Sequence, residues 1–212
     1  MKIKVCGLKY PDNVLAVSAL QPDFVGFVFY GPSPRYAAQM SAETMQQIPP
    51  EIIKTAVFVN ETSAQIARLV DEYQFDAVQL HGSEDVDFCN GLRNKAIIIK
   101  AFGINDQFDF RRLDAYAGSV DYFLFDTKTV IHGGSGESFD WSLLNKYDLD
   151  IPFFLSGGIS LDNLAEIQHI DHPMLFGVDL NSRFETAPGL KNITRLEKAF
   201  NLIKQTANEI RR

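Results

Sequence analysis

Eight short apolar runs punctuate the chain: "IKVC" at 3–6, "FVGFVF" at 24–29, "TAVFV" at 55–59, "AVQL" at 77–80, "IIIKAF" at 97–102, "YFLF" at 122–125, "PFFL" at 152–155 and "MLFGV" at 174–178. Each is nearly continuous in apolar residues where a half-buried strand would alternate, the pattern of parallel strands covered on both faces. Between most of them lie stretches with helical spacing behind a residue able to cap a helix. Ser41 precedes "AETMQQI", Thr62 precedes "SAQIARLVDEY", Ser83 precedes "EDVDFCNGL" and Ser160 precedes "LDNLAEI". The repeat of strand then helix, about 25 residues long, predicts a (β/α)8 TIM barrel. No Pro/Gly/Ser linker or shift of composition divides the chain, so 1–212 is expected to be one domain. An open doubly wound sheet is the rival. It lacks a G-x-G-x-x-G after the first run, and "GGSG" at 133–136 comes too late to be one.

Composition narrows the partners. With 212 residues, 46% hydrophobic and 22% charged, the chain has the make-up of an ordinary globular protein. Its 27 acidic against 20 basic side chains give a net charge of -7, which repels nucleic acid and anionic membranes and favours a small-molecule substrate or a protein partner. Two cysteines cannot frame a disulfide-built fold, and there is no signal peptide and no apolar run of membrane-spanning length, so the expected location is cytoplasmic.

In a barrel of this kind the chemistry gathers at the C-terminal ends of the strands. Those positions carry Cys6, Arg35 just beyond the second strand, His81, Asp126, the pair Gly157 and Gly158, and Asp179. Cysteine is often a plain buried hydrophobe, and Cys89, inside a helix beside Phe88 and Leu92, reads that way. Cys6 differs because it ends a strand and is followed by Gly7. Asp126 and Asp179 could cap turns, yet a carboxylate at the mouth of a buried strand is otherwise a costly choice. Arg35 lies in "GPSPRY", where two prolines would hold a guanidinium ready for a planar carboxylate. Glycines after strand seven and the "NSRFE" stretch after strand eight suit a phosphate cradle. Metal binding has little support: His169 and His172 precede strand eight, at the opposite end, and His132 has no second ligand near it.

Taken in order, "KVCGLK", "GFVFYGPSPRY", "AVFVN", "VQLHGSE", "FDTK", "GGSGESFDW", "LSGGIS" and "GVDLNSRFE" resemble the phosphoribosylanthranilate isomerase family over nearly the whole chain. The resemblance implies the Amadori rearrangement of N-(5-phosphoribosyl)anthranilate in tryptophan biosynthesis, without a cofactor. It implies Asp126 as general acid, Cys6 as general base held as a thiolate, and Arg35 on the anthranilate carboxylate. His81 and Asp179 would line the pocket, and Gly157, Gly158 and Ser182 would hold the phosphate. The sequence departs from the commoner pattern at Arg183, where glycine usually follows the serine. A related enzyme, indole-glycerol-phosphate synthase, would need lysines at early strand ends, and strands two and three end in "FY" and "VN". A non-catalytic phosphate-binding barrel would have no reason to combine Cys6 with Asp126. Monomer and homodimer both stay open.

The family resemblance alone does not explain Lys4. Two residues before Cys6, it shares that side chain's face and is expected to point into the barrel, where it needs a carboxylate such as Asp126 or Asp179 and would lower the thiol's pKa.

Overall fold

The computed structural model describes residues 1–37, 39–127 and 138–209. Strands β1 (Lys2–Val5), β2 (Phe24–Val28), β3 (Ile53–Phe58), β4 (Ala77–Leu80), β5 (Ile97–Ile104), β6 (Tyr122–Thr127), β7 (Phe153–Leu155) and β8 (Leu175–Leu180) pair in chain order, all parallel, and β8 returns to β1 to close the barrel. The closing register sets Lys4 opposite Asp179. All eight expected strands are present, within two or three residues of the apolar runs.

Alternation along the strands sorts the side chains into two layers. Outward residues such as Val25, Phe58, Leu80, Phe125 and Leu180 form one large core with the covering helices. Inward residues near the strand starts, among them Phe24, Ala77, Ile99, Leu124 and Phe154, fill the barrel, with Phe24 and Phe154 edge to face at 5.1 Å. Toward the strand ends the inward positions become polar, and the cavity opens there.

Helices α1 (Pro11–Ser18), α2 (Ala42–Gln46), α3 (Ser63–Tyr73) and α4 (Val86–Leu92) cover the first four units, and α5 (Ile193–Glu209) follows the last. Two expected caps are in place: the Ser41 hydroxyl accepts the Thr44 N–H and the Thr62 hydroxyl accepts the Gln65 N–H, each at 3.3 Å. The other two are corrected. Asp85, not Ser83, caps α4 by accepting the Phe88 N–H at 2.9 Å, because Glu84 is drawn away to Lys100, also at 2.9 Å, and the Ser83 N–H is taken by Asn60. The stretch after Ser160 forms no α-helix. Like Phe110–Tyr116 and Trp141–Lys146, Leu164–His169 is a 3₁₀ helix. In the first two the capping aspartates, Asp109 and Asp140, accept N–H groups only two residues on, which tightens the opening turn.

After β8 a single 3₁₀ turn, Ser182–Phe184, leads into a small hairpin of β9 (Glu185–Ala187) and β10 (Leu190–Lys191). Cys89 is fully buried in the outer core, as expected. His169 is exposed, whereas His172 is half-buried, pairing with the Tyr147 carbonyl at 3.0 Å and packing on Tyr147 and Phe153. His132 and "GGSG" lie outside the described residues.

Candidate active site

Cys6 follows β1 directly, Asp126 and Asp179 sit one residue from the ends of β6 and β8, and His81 follows β4. All four line one open cavity at the C-terminal end of the barrel, together with Arg35, Gln79, Ser156 and Asn181. The expected gathering of Cys6, Arg35, His81, Asp126 and Asp179 is therefore observed. Gly157, Gly158 and Ser182 stand at the ends of β7 and β8 next to this cavity without lining it.

Two glycines are required by close approach as well as by conformation. At Gly7 (φ 77°) a Cβ would lie 2.7 Å from both Arg35 Cδ and Asn181 Oδ1, so Arg35 can cross the backbone just past Cys6. At Gly157 (φ 83°) a Cβ would come within 2.7 Å of Asp126 Oδ1. Gly158 also has a positive φ, 65°.

The charges are arranged around Asp179. Lys4 is fully buried and its Nζ lies 2.9 Å from Asp179 Oδ1, the partner expected of an inward lysine. Ser156 donates to Asp179 Oδ2 at 3.4 Å. Asp126 accepts the Thr127 N–H at 2.8 Å, and its Oδ2 is 3.5 Å from His81 Nε2, while His81 Nδ1 pairs with the Gln79 amide at 3.0 Å. Burial, followed by the Asp179 carboxylate, pushes Asp126 up to about 6, against the weaker pull of the Thr127 N–H and Lys4. That is a carboxyl able to keep a proton near neutrality.

The thiol is a correction. Burial raises the pKa of Cys6 above its ordinary value, and Asp179 adds to the rise; Lys4 and Lys191 pull it down without prevailing. Lys4 thus acts in the expected direction, yet the free protein holds Cys6 as a thiol, not a resting thiolate. Lys4 itself stays charged: burial disfavours the ammonium, but Asp179 and Cys6 together raise its pKa.

Two charged residues beside this site, Glu185 and Lys191, escape a reading of the sequence. Glu185 grips Arg35, with Nη2 to Oε2 at 2.8 Å and Nε to the two oxygens at 3.0 and 3.1 Å. Lys191 is fully buried, donating to Glu185 Oε1 and Asn181 Oδ1, each at 2.7 Å. Burial lowers its pKa despite Glu185. Glu185 shows the opposite balance, since Arg35 and Lys191 overcome the effect of burial and hold its carboxyl below the usual range. Glu185 closes the "NSRFE" stretch and Lys191 lies beyond it, and Arg35, the partner of Glu185, is 150 residues away. Among the described residues no group of three or more His, Cys, Asp or Glu is placed to hold a metal ion.

Residues 3–202 match the family model described as N-(5'phosphoribosyl)anthranilate (PRA) isomerase. A relative from Parabacteroides distasonis, named N-(5'-phosphoribosyl)anthranilate isomerase, is 42% identical over 99% of this chain and 96% of its own length. The crystal structure of phosphoribosyl anthranilate isomerase from Thermotoga maritima superposes with a TM-score of 0.83 at 33% identity, covering 97% of this chain and 99% of that one. Another solved phosphoribosyl anthranilate isomerase, with a TM-score of 0.79 at 30% identity and the same coverage, is in complex with reduced 1-(o-carboxyphenylamino)-1-deoxyribulose 5-phosphate.

Proposed function

The chain belongs to the N-(5'-phosphoribosyl)anthranilate isomerase family, and from that premise we propose how its own residues carry out the reaction. The enzyme is an isomerase of tryptophan biosynthesis that converts N-(5-phosphoribosyl)anthranilate to 1-(2-carboxyphenylamino)-1-deoxyribulose 5-phosphate. Asp126, protonated, donates to the ribose ring oxygen; the C1′–O bond breaks as the nitrogen lone pair forms the Schiff base. Cys6, as the thiolate, removes the C2′ proton, and the enolamine tautomerises to the ketose. The two transfers leave Asp126 ionised and Cys6 protonated, so the negative charge moves from one side of the cavity to the other. Lys4 keeps the intervening Asp179 neutralised during that exchange.

The observation that carries this reading is the placement of Cys6 and Asp126 on one cavity, with Asp126 raised to about 6. Arg35 holds the anthranilate carboxylate at one end. At the other, the backbone of Gly157, Gly158 and the Ser182 turn receives the phosphate, with Arg183 adding positive charge close by. His81 and Asp179 line the space between. No cofactor takes part, the domain spans 1–212, and the two unpaired thiols suit the reducing cytoplasm.

The test is Asp126→Asn, which removes the acid at nearly constant volume. Turnover, followed by loss of substrate fluorescence with no metal or nucleotide added, should fall by at least about 100-fold while the variant stays folded. Near-full activity in a folded variant would remove Asp126 from the role.

A further inference from the structure

The cavity wall contains a built contact that acid–base chemistry does not use. Glu185, only 5% exposed, lies along one edge of the Arg35 guanidinium, itself 12% exposed. The same carboxylate is fixed from behind by Lys191 Nζ at 2.7 Å and the Gly189 N–H at 3.1 Å. Lys191 is in turn locked to α1, since its N–H donates to Asn13 Oδ1 at 2.7 Å and its carbonyl accepts from Asn13 Nδ2 at 3.0 Å. The carboxylate therefore has no freedom of its own.

We propose that Glu185 is the positioning residue that aims Arg35 at the substrate's ring carboxylate and so sets specificity for an anthranilate-bearing aminoaldose. The proposal rests on the assignment of Arg35 given above. A guanidinium offers five N–H groups in two forks, one along Nε and Nη2 and one across Nη1 and Nη2. Glu185 occupies the first, leaving the second for a carboxylate of the substrate. Arg35 comes from an irregular loop, so without Glu185 its long side chain would have to be ordered at binding. Charge is accounted for as well. A lone Glu185 would cancel Arg35 and leave nothing to attract an anion, but Lys191 brings the trio to a net charge of +1.

The experiment is Glu185→Gln, which keeps the shape and an oxygen for Lys191 while weakening the hold on the guanidinium. KM should rise by about tenfold or more with kcat within about threefold, because the fork is used for binding and not in the chemical step. Inhibition by inorganic phosphate, which tests the far end of the site, should be unchanged. In an Arg35→Ala background the same substitution should leave KM where Arg35→Ala alone sets it. If Arg35→Ala does not raise KM, the assignment of Arg35 itself is wrong. If Arg35→Ala raises KM and Glu185→Gln does not, the positioning role alone is overturned. A loss of phosphate inhibition in step with KM would also overturn it, since that marks general collapse of the site. Should Glu185→Gln fail to fold, the charge-balanced pair Glu185→Gln with Lys191→Met gives the same three readings.

Discussion

At the scale of single residues, Asp126 joins function to stability. Its folded-state pKa of about 6 is above the ordinary 3.8, so the native state favours its protonated form. The stability this contributes is fully present below about 3.8 and is lost as pH rises through 6. Asp126→Asn should therefore stabilise the protein at pH 7, by on the order of 2 kcal/mol, and by little at pH 4. Urea midpoints of parent and variant that differ equally at both pH values would contradict the burial argument. Lys4 gives a second prediction. With the acid titrating near 6 and the thiol raised, the productive pair, acid protonated and base ionised, is a constant minor fraction between the two values. Activity should rise to about pH 6, stay level, then fall at the thiol's pKa. Lys4→Met removes the leading downward pull on Cys6 and also the pull that Lys4 exerts on Asp126. Both limbs should move to higher pH and alkylation of Cys6 at pH 7 should slow. Superimposable profiles would make Lys4 a plain ion-paired plug.

At the scale of elements, the strand ends of the seventh and eighth units hold the phosphate in this account. Gly158→Val adds a branched side chain where φ is 65° and the backbone must approach the anion, so inhibition by inorganic phosphate should weaken and the substrate KM should rise. Unchanged phosphate inhibition would place the anion elsewhere. The strands themselves were legible in the sequence because they are buried on both faces and read as unbroken apolar runs. Inward polar residues at their ends stood out for the same reason. Caps were legible where one residue could serve, as at Ser41 and Thr62. They were not legible where neighbours compete through space: Glu84 is pulled to Lys100 of β5, and that choice leaves Asp85 as the cap. The 3₁₀ helices escaped because helical spacing over six or seven residues does not separate the two windings.

At the scale of the whole molecule, closing the barrel brings β1 beside β8 and turns distant residues into one charged site. Lys4 meets Asp179 across 175 residues, and Arg35 meets Glu185 across 150. The first pair was legible from the alternation of a strand, but the second carries no local signal, which is why Glu185 and Lys191 were invisible while Cys6 and Asp126, marked by their place at strand ends, were not. The resting protonation of Cys6 was also hidden, because burial is a property of the closed barrel and not of a strand end. The central claim is that this cavity performs the rearrangement with Cys6 as its base. The most direct measurement is the rate of loss of N-(5-phosphoribosyl)anthranilate fluorescence with Cys6→Ala beside the parent, at pH 7 and without added metal or nucleotide. The account predicts conversion by the parent and a fall in kcat of at least about 100-fold in a folded variant. Turnover by Cys6→Ala close to that of the parent would contradict it.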